Sequence, residues 1–357
     1  MRTNADNTGA PAVGRAPRLD WVDQGRGLAI CLVVLLHAAN WLLAAGADVR
    51  GWVELNLVAS SLRMPLFFVL SGLFAAKWLR GSWRDLWTRK VRLFVWVFCL
   101  WTVIGVAAFM LGVRVMLGEG SLRGILLTLV LAPVMPKLEL WFIWALALFF
   151  VAAKATRRVP PAVQLAVAGV GSAIALSGWV TQSPGWSGVV KYYAFFLFGI
   201  YGRDLVLRLG SSTRRSAAAA WLGGWLVVSL VLWRFDLREL PGAYFVNCVL
   251  GVGAGVVVSR LVRVPALRRV GARTLPVYLT HTPVIMLVCS ALHLLGVTDA
   301  GVVMAVLPPV LVAGVVAFAW WLSHAVEGTR WAWLYEVPQR RRRAPADGPP
   351  AVAQVPA

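Results

Sequence analysis

The chain has 357 residues, of which 59% are hydrophobic and 14% charged, and its 35 Lys and Arg outnumber 15 Asp and Glu to give a formal net charge of +20. With a mean hydropathy of +0.73, the apolar surface exceeds what one soluble core can hide, and its apolar runs are long enough to span a bilayer. That excludes a soluble globular domain and predicts an all-α, polytopic transmembrane helical bundle with no soluble extracytoplasmic domain.

In chain order, residues 1–17 are polar with Gly and Pro and are expected to form a disordered cytoplasmic tail. Ten apolar runs follow, at about 27–46, 53–76, 93–113, 138–153, 162–180, 189–207, 217–233, 242–259, 274–295 and 302–324. The fourth and seventh are short. Residues 18–330 are expected to form one membrane domain, and 331–357 a basic, Pro-rich cytoplasmic tail whose run Arg340 to Arg343 lies near anionic lipid.

The basic residues are not scattered. Twenty-seven of the 35 fall in the N-tail, the connections after spans two, four, six and eight, and the C-tail; the other eight lie in or near the opposite connections. By the positive-inside rule this predicts a multi-pass protein of the cell membrane with both termini cytoplasmic. The same distribution accounts for the net charge, so no nucleic acid partner is expected.

The first span, DQGRGLAICLVVLLHAANWL from Asp23, carries Arg26 and His37. Eleven residues apart, they are separated on an α-helix by about 16 Å of rise and a net rotation of about 20°, so they share a face. With Arg26 at the boundary, His37 lies near the middle of hydrocarbon roughly 30 Å thick. The run resembles a signal peptide, but Asp20 and Asp23 flank it and nine spans follow, so it is read as a retained helix. A core histidine held only by packing is the competing reading of His37.

Charged side chains at membrane depth cost at least about 2.5 kcal/mol each and commonly face a polar interior where they act. Arg63 in span two is about ten residues from the outer turn, as is His37, which puts both at a depth of roughly 15 Å. Pro65 should kink the helix beside Arg63 and open carbonyls to a cavity. The competing reading of Arg63 is that it only ties helices together through Glu54 or Glu139. Glu139 begins span four in KLELWFIWAL, with Lys191, Tyr192 and Tyr193 at the same side and Trp179 and Trp186 nearby. Most of the nineteen Trp are expected to be belt residues, but a carboxylate among aromatic rings also suits a sugar.

The connection KWLRGSWRDLWTRKVR from Lys77 holds six basic residues and ends in Arg89 and Arg92. Three apart on one helical turn, these two present guanidiniums on a shared face, suited to bidentate phosphate contacts; a loop that merely sets topology is the plainer alternative. The four cysteines, Cys31, Cys99, Cys248 and Cys289, all fall within spans without disulfide or metal spacing. The four histidines, His37, His281, His293 and His324, lack metal-binding spacing, so no metal site is expected.

Taken together, the stretches LDWVDQGRGLAICLVVLLH, RMPLFFVLSG from Arg63, Arg-x-x-Arg at Arg89 and Arg92, LWFIWAL from Leu140 and LPVYLTHTPVI from Leu275 resemble, in order, the motifs of the membrane-bound acyltransferase-3 family. The resemblance runs from about residue 18 to 330 and is nearest the glycan and fucose O-acetylase branch. Arg63 and Glu139 stand where many relatives have histidine.

The resemblance implies an O-acyltransferase that moves an acyl group, expected to be acetyl, from cytoplasmic acyl-CoA to a hydroxyl of a sugar, a lipid-linked glycan or a glycosylated metabolite. It implies no permanently bound cofactor. Arg26, Arg89 and Arg92 would meet the donor's phosphates, and His281 is assigned to the donor channel. His37 would act as base or take the acyl group itself, Arg63 would stabilise an oxyanion, and Glu139 would orient the acceptor or Arg63. The competing class is a multi-pass transporter of a small polar or anionic solute, against which stand the lack of an inverted repeat and the concentration of charge in spans one to three. A non-catalytic partner in lipid synthesis would keep the fold without needing Arg26 and His37 aligned. Oligomeric state is not legible.

Overall fold

The computed structural model describes residues 19–118, 121–136, 138–212, 214–297 and 301–338. The expected tail 1–17 lies outside the described residues, as does the tail beyond 338 with the run Arg340 to Arg343.

Helices account for about four-fifths of the described chain, and no strand occurs among those residues. In order they are α1 (Asp20–Ala44), α2 (Arg50–Gly72), the short α3 (Ala76–Arg80) and α4 (Trp83–Leu86), a π-helical turn (Trp87–Val91), α5 (Arg92–Leu117), α6 (Leu122–Leu131), α7 (Trp141–Ala155), α8 (Pro161–Leu176), α9 (Pro184–Tyr201), α10 (Arg203–Ser212), α11 (Arg215–Arg234), α12 (Ala243–Leu261), α13 (Pro265–Ala272), α14 (Thr274–Leu294) and α15 (Gly301–Val326). Ten of these, α1, α2, α5, α7, α8, α9, α11, α12, α14 and α15, fall on the ten predicted spans. Seven are long and apolar enough to cross a membrane by length and composition; α7 and α8 are shorter apolar helices, and α9 has 18 residues including Lys191. The chain is a polytopic helical membrane protein. Val103, Val167, Val170, Ile174 and Val227 stand exposed on the outside of the bundle, as a lipid-facing surface requires.

Contacts between connections fix which helix ends lie together. At one end Arg268 of α13 donates to Asp20 at 2.7 Å and Arg273 donates to Glu327 at 2.8 Å. The Arg273 hydrogen bond holds the Glu327 carboxyl below its ordinary range. At the other end the His293 Nδ1–H donates to the Ala45 carbonyl at 3.0 Å, Trp52 to Ala305 at 2.8 Å and Ser177 to Leu240 at 3.2 Å. Successive long helices therefore alternate in direction, and the basic connections gather at the end holding Asp20 and Glu327.

Helix α1 sits at the centre, packed by α2, α12, α13, α14 and α15. Its approach to α13 is close enough that a Cβ on Gly27 would meet the Leu267 carbonyl, and one on Gly271 the Asp23 carbonyl. Glycine is needed at both positions for that contact. At the basic end, Lys154, 1% exposed despite its charge, donates to the carbonyls of Trp78 at 2.8 Å and Gly81 at 2.6 Å. The last turn of α7 thereby caps α3 and pins the connection between α2 and α5.

Two local details differ from expectation. Helix α2 runs unbroken through Pro65. Since Pro65 has no N–H for the Ser61 carbonyl, that oxygen is freed, but it faces Gly251 of α12 rather than a cavity. Arg89 and Arg92 were expected on one α-helical face, but the π-helical turn Trp87–Val91 breaks that period. Both side chains are exposed, and Arg89 pairs with Asp85 at 3.6 Å.

Candidate active site

The face of α1 that carries Arg26 continues inward through Ile30 and Val33 to His37. Arg26 is half-buried at the basic end, where it donates to the Leu70 carbonyl at 3.0 Å and lies over the Phe74 ring at 5.3 Å. Its electrostatic neighbour is Lys90, which Lys77 also approaches; Lys90 lies over the rings of Trp78 and Phe94. The inward-facing basic residue of that connection is therefore Lys90, between the two expected arginines. No motif marked it, because the π-helical turn that re-aims it leaves no periodic signature.

Further in, a cavity of about 200 Å³ is lined by Ile30, Val33, His37, Arg63, Glu139 and Tyr192, with Trp141, Phe142 and Tyr278 among its other walls. The structure thus brings together His37, Arg63 and Glu139 from α1, α2 and the approach to α7. His37 Nδ1 lies 3.7 Å from Glu139 Oε1, with the side chains 18% and 22% exposed. Both face the cavity instead of being sealed in packing.

Glu139 reaches this depth because α7 begins late. Its 15 residues rise only about 22 Å, short of roughly 30 Å of hydrocarbon, and the remaining depth is crossed by turns at 132–136 and 138–140. Irregular backbone at such depth needs protein partners for its polar groups. Tyr278 of α14 donates to the Glu139 carbonyl at 2.5 Å, Trp144 to the Pro133 carbonyl at 2.9 Å and Trp186 to the Val134 carbonyl at 2.8 Å. These two Trp residues serve as clamps on the turn as well as boundary aromatics.

Arg63, 7% exposed, donates to the Asn56 carbonyl at 3.1 Å and to Asn56 Oδ1 at 3.2 Å. Asn56 lies two turns earlier on the same face of α2, a spacing visible in the sequence. Tyr192 lines the same cavity as Arg63. Tyr244 and Ser60 share a short hydrogen bond, and Arg238 donates to Ser60 at 3.0 Å and Tyr244 at 3.1 Å. This polar cluster lies one turn of α2 before Arg63, towards the end opposite the basic one.

His281, expected in the donor channel, lies deep in the bundle beside His37. Its ring lies 5.1 Å from that of His37, tilted by 52°, and is 1% exposed. Its Nδ1–H donates to the Tyr278 carbonyl at 2.6 Å, because a carbonyl can only accept, and its Nε2 accepts from the Thr282 hydroxyl at 3.2 Å. With both nitrogens in hydrogen bonds, His281 forms a fixed wall against His37. Tyr278, missed as a site residue, shares the LPVYLTHTPVI stretch three positions before His281, one turn away on the same side of α14.

On the cavity's other side, Tyr192 stacks on Phe68 with ring centroids 5.5 Å apart and planes 20° apart, and on Trp141 at 6.0 Å and 22°. The cavity thus joins an imidazole paired with a carboxylate, a buried guanidinium and an aromatic platform. That set can move a proton, stabilise a developing negative charge and seat an apolar ring face.

A family model described as an acyltransferase domain matches residues 19–324 of the chain. No curated protein and no solved structure matches it.

Proposed function

The chain belongs to the acyltransferase-3 family of membrane acyltransferases, and on that premise we propose that it transfers an acyl group, of acetyl size, from acyl-CoA to a hydroxyl of a sugar-type acceptor. The observation that carries this reading is the 3.7 Å approach of Glu139 to His37 Nδ1 in a cavity that Arg63 also lines. A carboxylate on Nδ1 favours the tautomer with its proton there, which leaves Nε2 with the lone pair a base needs. His37 Nε2 takes the acceptor's hydroxyl proton as the oxygen attacks the thioester carbonyl. Arg63 balances the charge on the tetrahedral intermediate's oxygen, and collapse expels the thiolate of CoA, which takes the proton back from His37.

The donor's phosphates cannot enter lipid and stay at the basic end, with Arg26 and Lys90 at the mouth and Arg89 and Arg92 exposed on the approach. The pantetheine arm then follows the α1 face past Ile30 to His37. The acceptor comes from the other end, along the side marked by Arg238, Tyr244 and Arg63, and a sugar ring lies on Trp141 and Tyr192. Glycan O-acetylation in the cell envelope is the role this fits, with both termini of the chain cytoplasmic.

Mass spectrometry of envelope glycans and glycosylated metabolites from cells with and without the protein tests the reading. A species heavier by one acyl group only in the producing cells supports it and names the acceptor. If the purified protein neither hydrolyses acetyl-CoA slowly without acceptor nor changes any such species, the acyl-CoA reading is wrong.

A further inference from the structure

A second polar concavity, of about 490 Å³, opens at the basic end between the start of α1, the end of α12 and the start of α13. It is not an extension of the proposed donor route. Gln24 lines it, and Gln24 is about 200° around α1 from Arg26, so the pocket lies on the far side of the central helix from the reaction cavity.

The pocket is a built one. The Gln24 amide donates to the Val262 carbonyl and accepts from the Val264 N–H at 3.1 Å, which clamps the connection between α12 and α13 onto α1. The close backbone contact at Gly27 and Gly271 holds α13 against the same helix. Arg260, Arg263 and Arg268 are thereby directed around one concavity from three stations of the chain. Asp20 is the one acidic residue among those lining it, and Arg268 already engages it at 2.7 Å. Three guanidiniums and one carboxylate line the concavity, and α13 adds the positive end of its dipole at Pro265.

We propose that this pocket binds a phosphate ester. Planar guanidiniums match phosphate oxygens bidentately, and the volume falls in the range that takes a whole small ligand. Leu19, Trp21 and Pro265 supply an apolar flank for the organic part of such an ester. Its source is either the headgroup of an anionic phospholipid in the adjoining leaflet or a soluble phosphorylated compound such as a nucleotide. The chemistry recognised is the same for both.

Thermal unfolding of the purified full-length protein in detergent tests the proposal without any catalytic readout, so it fails or stands apart from the acyl-transfer reading. The probes are short-chain phosphatidylglycerol, short-chain phosphatidylcholine as its zwitterionic control, and adenosine 3′,5′-bisphosphate. The variants are Arg263→Gln, in the exposed connection, and Arg269→Gln, which removes an equal charge from α13 outside the pocket lining. The expected result is that phosphatidylglycerol or the bisphosphate raises Tm above the phosphatidylcholine control. Arg263→Gln should raise the half-saturating concentration about tenfold, the loss of one charged contact, while Arg269→Gln leaves it unchanged. Stabilisation by phosphatidylglycerol alone identifies a lipid headgroup, by the bisphosphate alone a soluble ester, and by both a site selective for the phosphate itself. Stabilisation by neither, or an equal loss in the two variants, overturns the proposal.

Discussion

On the proposed reading, the carboxylate beside His37 Nδ1 makes Nε2 the working atom. Removing the imidazole removes the base itself, so His37→Ala should lower turnover by roughly 10²- to 10⁴-fold at any donor concentration, as expected for general base catalysis. Tyr278→Phe should behave differently. It deletes the hydrogen bond that holds the Glu139 turn and leaves every reacting group in place, so kcat should fall about tenfold with the donor KM nearly unchanged. Steady-state kinetics in nanodiscs, with correct folding verified, measures both; ordinary turnover in His37→Ala would make His37 structural. The sequence revealed Arg26 and His37 as a pair because both lie on one helix, where the 3.6-residue period alone sets direction. It did not place His281 beside His37, because depth counted along α14 says nothing of the register between helices. The packing of α1 on α14 sets His37 level with His281.

At the scale of elements, the ten apolar helices were legible because each is an apolar run between polar connections. The π-helical turn at Trp87–Val91 was not, since one wider turn leaves composition untouched and changes only which side chain faces inward. That change has a kinetic consequence. Lys90→Gln and Arg26→Gln should each raise the apparent KM for acyl-CoA several-fold, and Arg89→Gln, whose side chain is exposed and paired with Asp85, should raise it less. An Arg89→Gln effect larger than that of Lys90→Gln would return the donor site to the exposed face. Helix α1 permits a second test of geometry. One Ala inserted between Leu32 and Val33 turns His37 about 100° away from Arg26, whereas Leu32→Ala keeps the register. The insertion should abolish transfer in protein that still inserts and resists unfolding, and the substitution should be mild. Normal activity in a well-folded insertion variant would show that the shared face is incidental.

For the molecule as a whole, the alternation of helices follows from bonds between connections, while the direction of the bundle across the membrane rests on charge. The basic end gathers Asp20, the connection from Lys77 to Arg92 pinned by Lys154, the start of α13, and Glu327 with Arg273. The opposite end joins Ala45 to His293, Trp52 to Ala305 and Ser177 to Leu240. If the basic end is cytoplasmic, a reporter fused after Arg215, in the connection from α10 to α11, should read inside. One fused after Gln182, in the connection from α8 to α9, should read outside. The two positions test different things together. Opposite readings are required by the alternation whatever the direction of the bundle, since Gln182 and Arg215 are separated by α9, with α10 remaining at the basic end. The sign of the pair then decides direction. A cytoplasmic signal at Gln182 with an external one at Arg215 would place the basic mouth outside, where acyl-CoA is not made, and would remove the donor route along Arg26, Ile30 and His37 even though every distance in the cavity stayed the same.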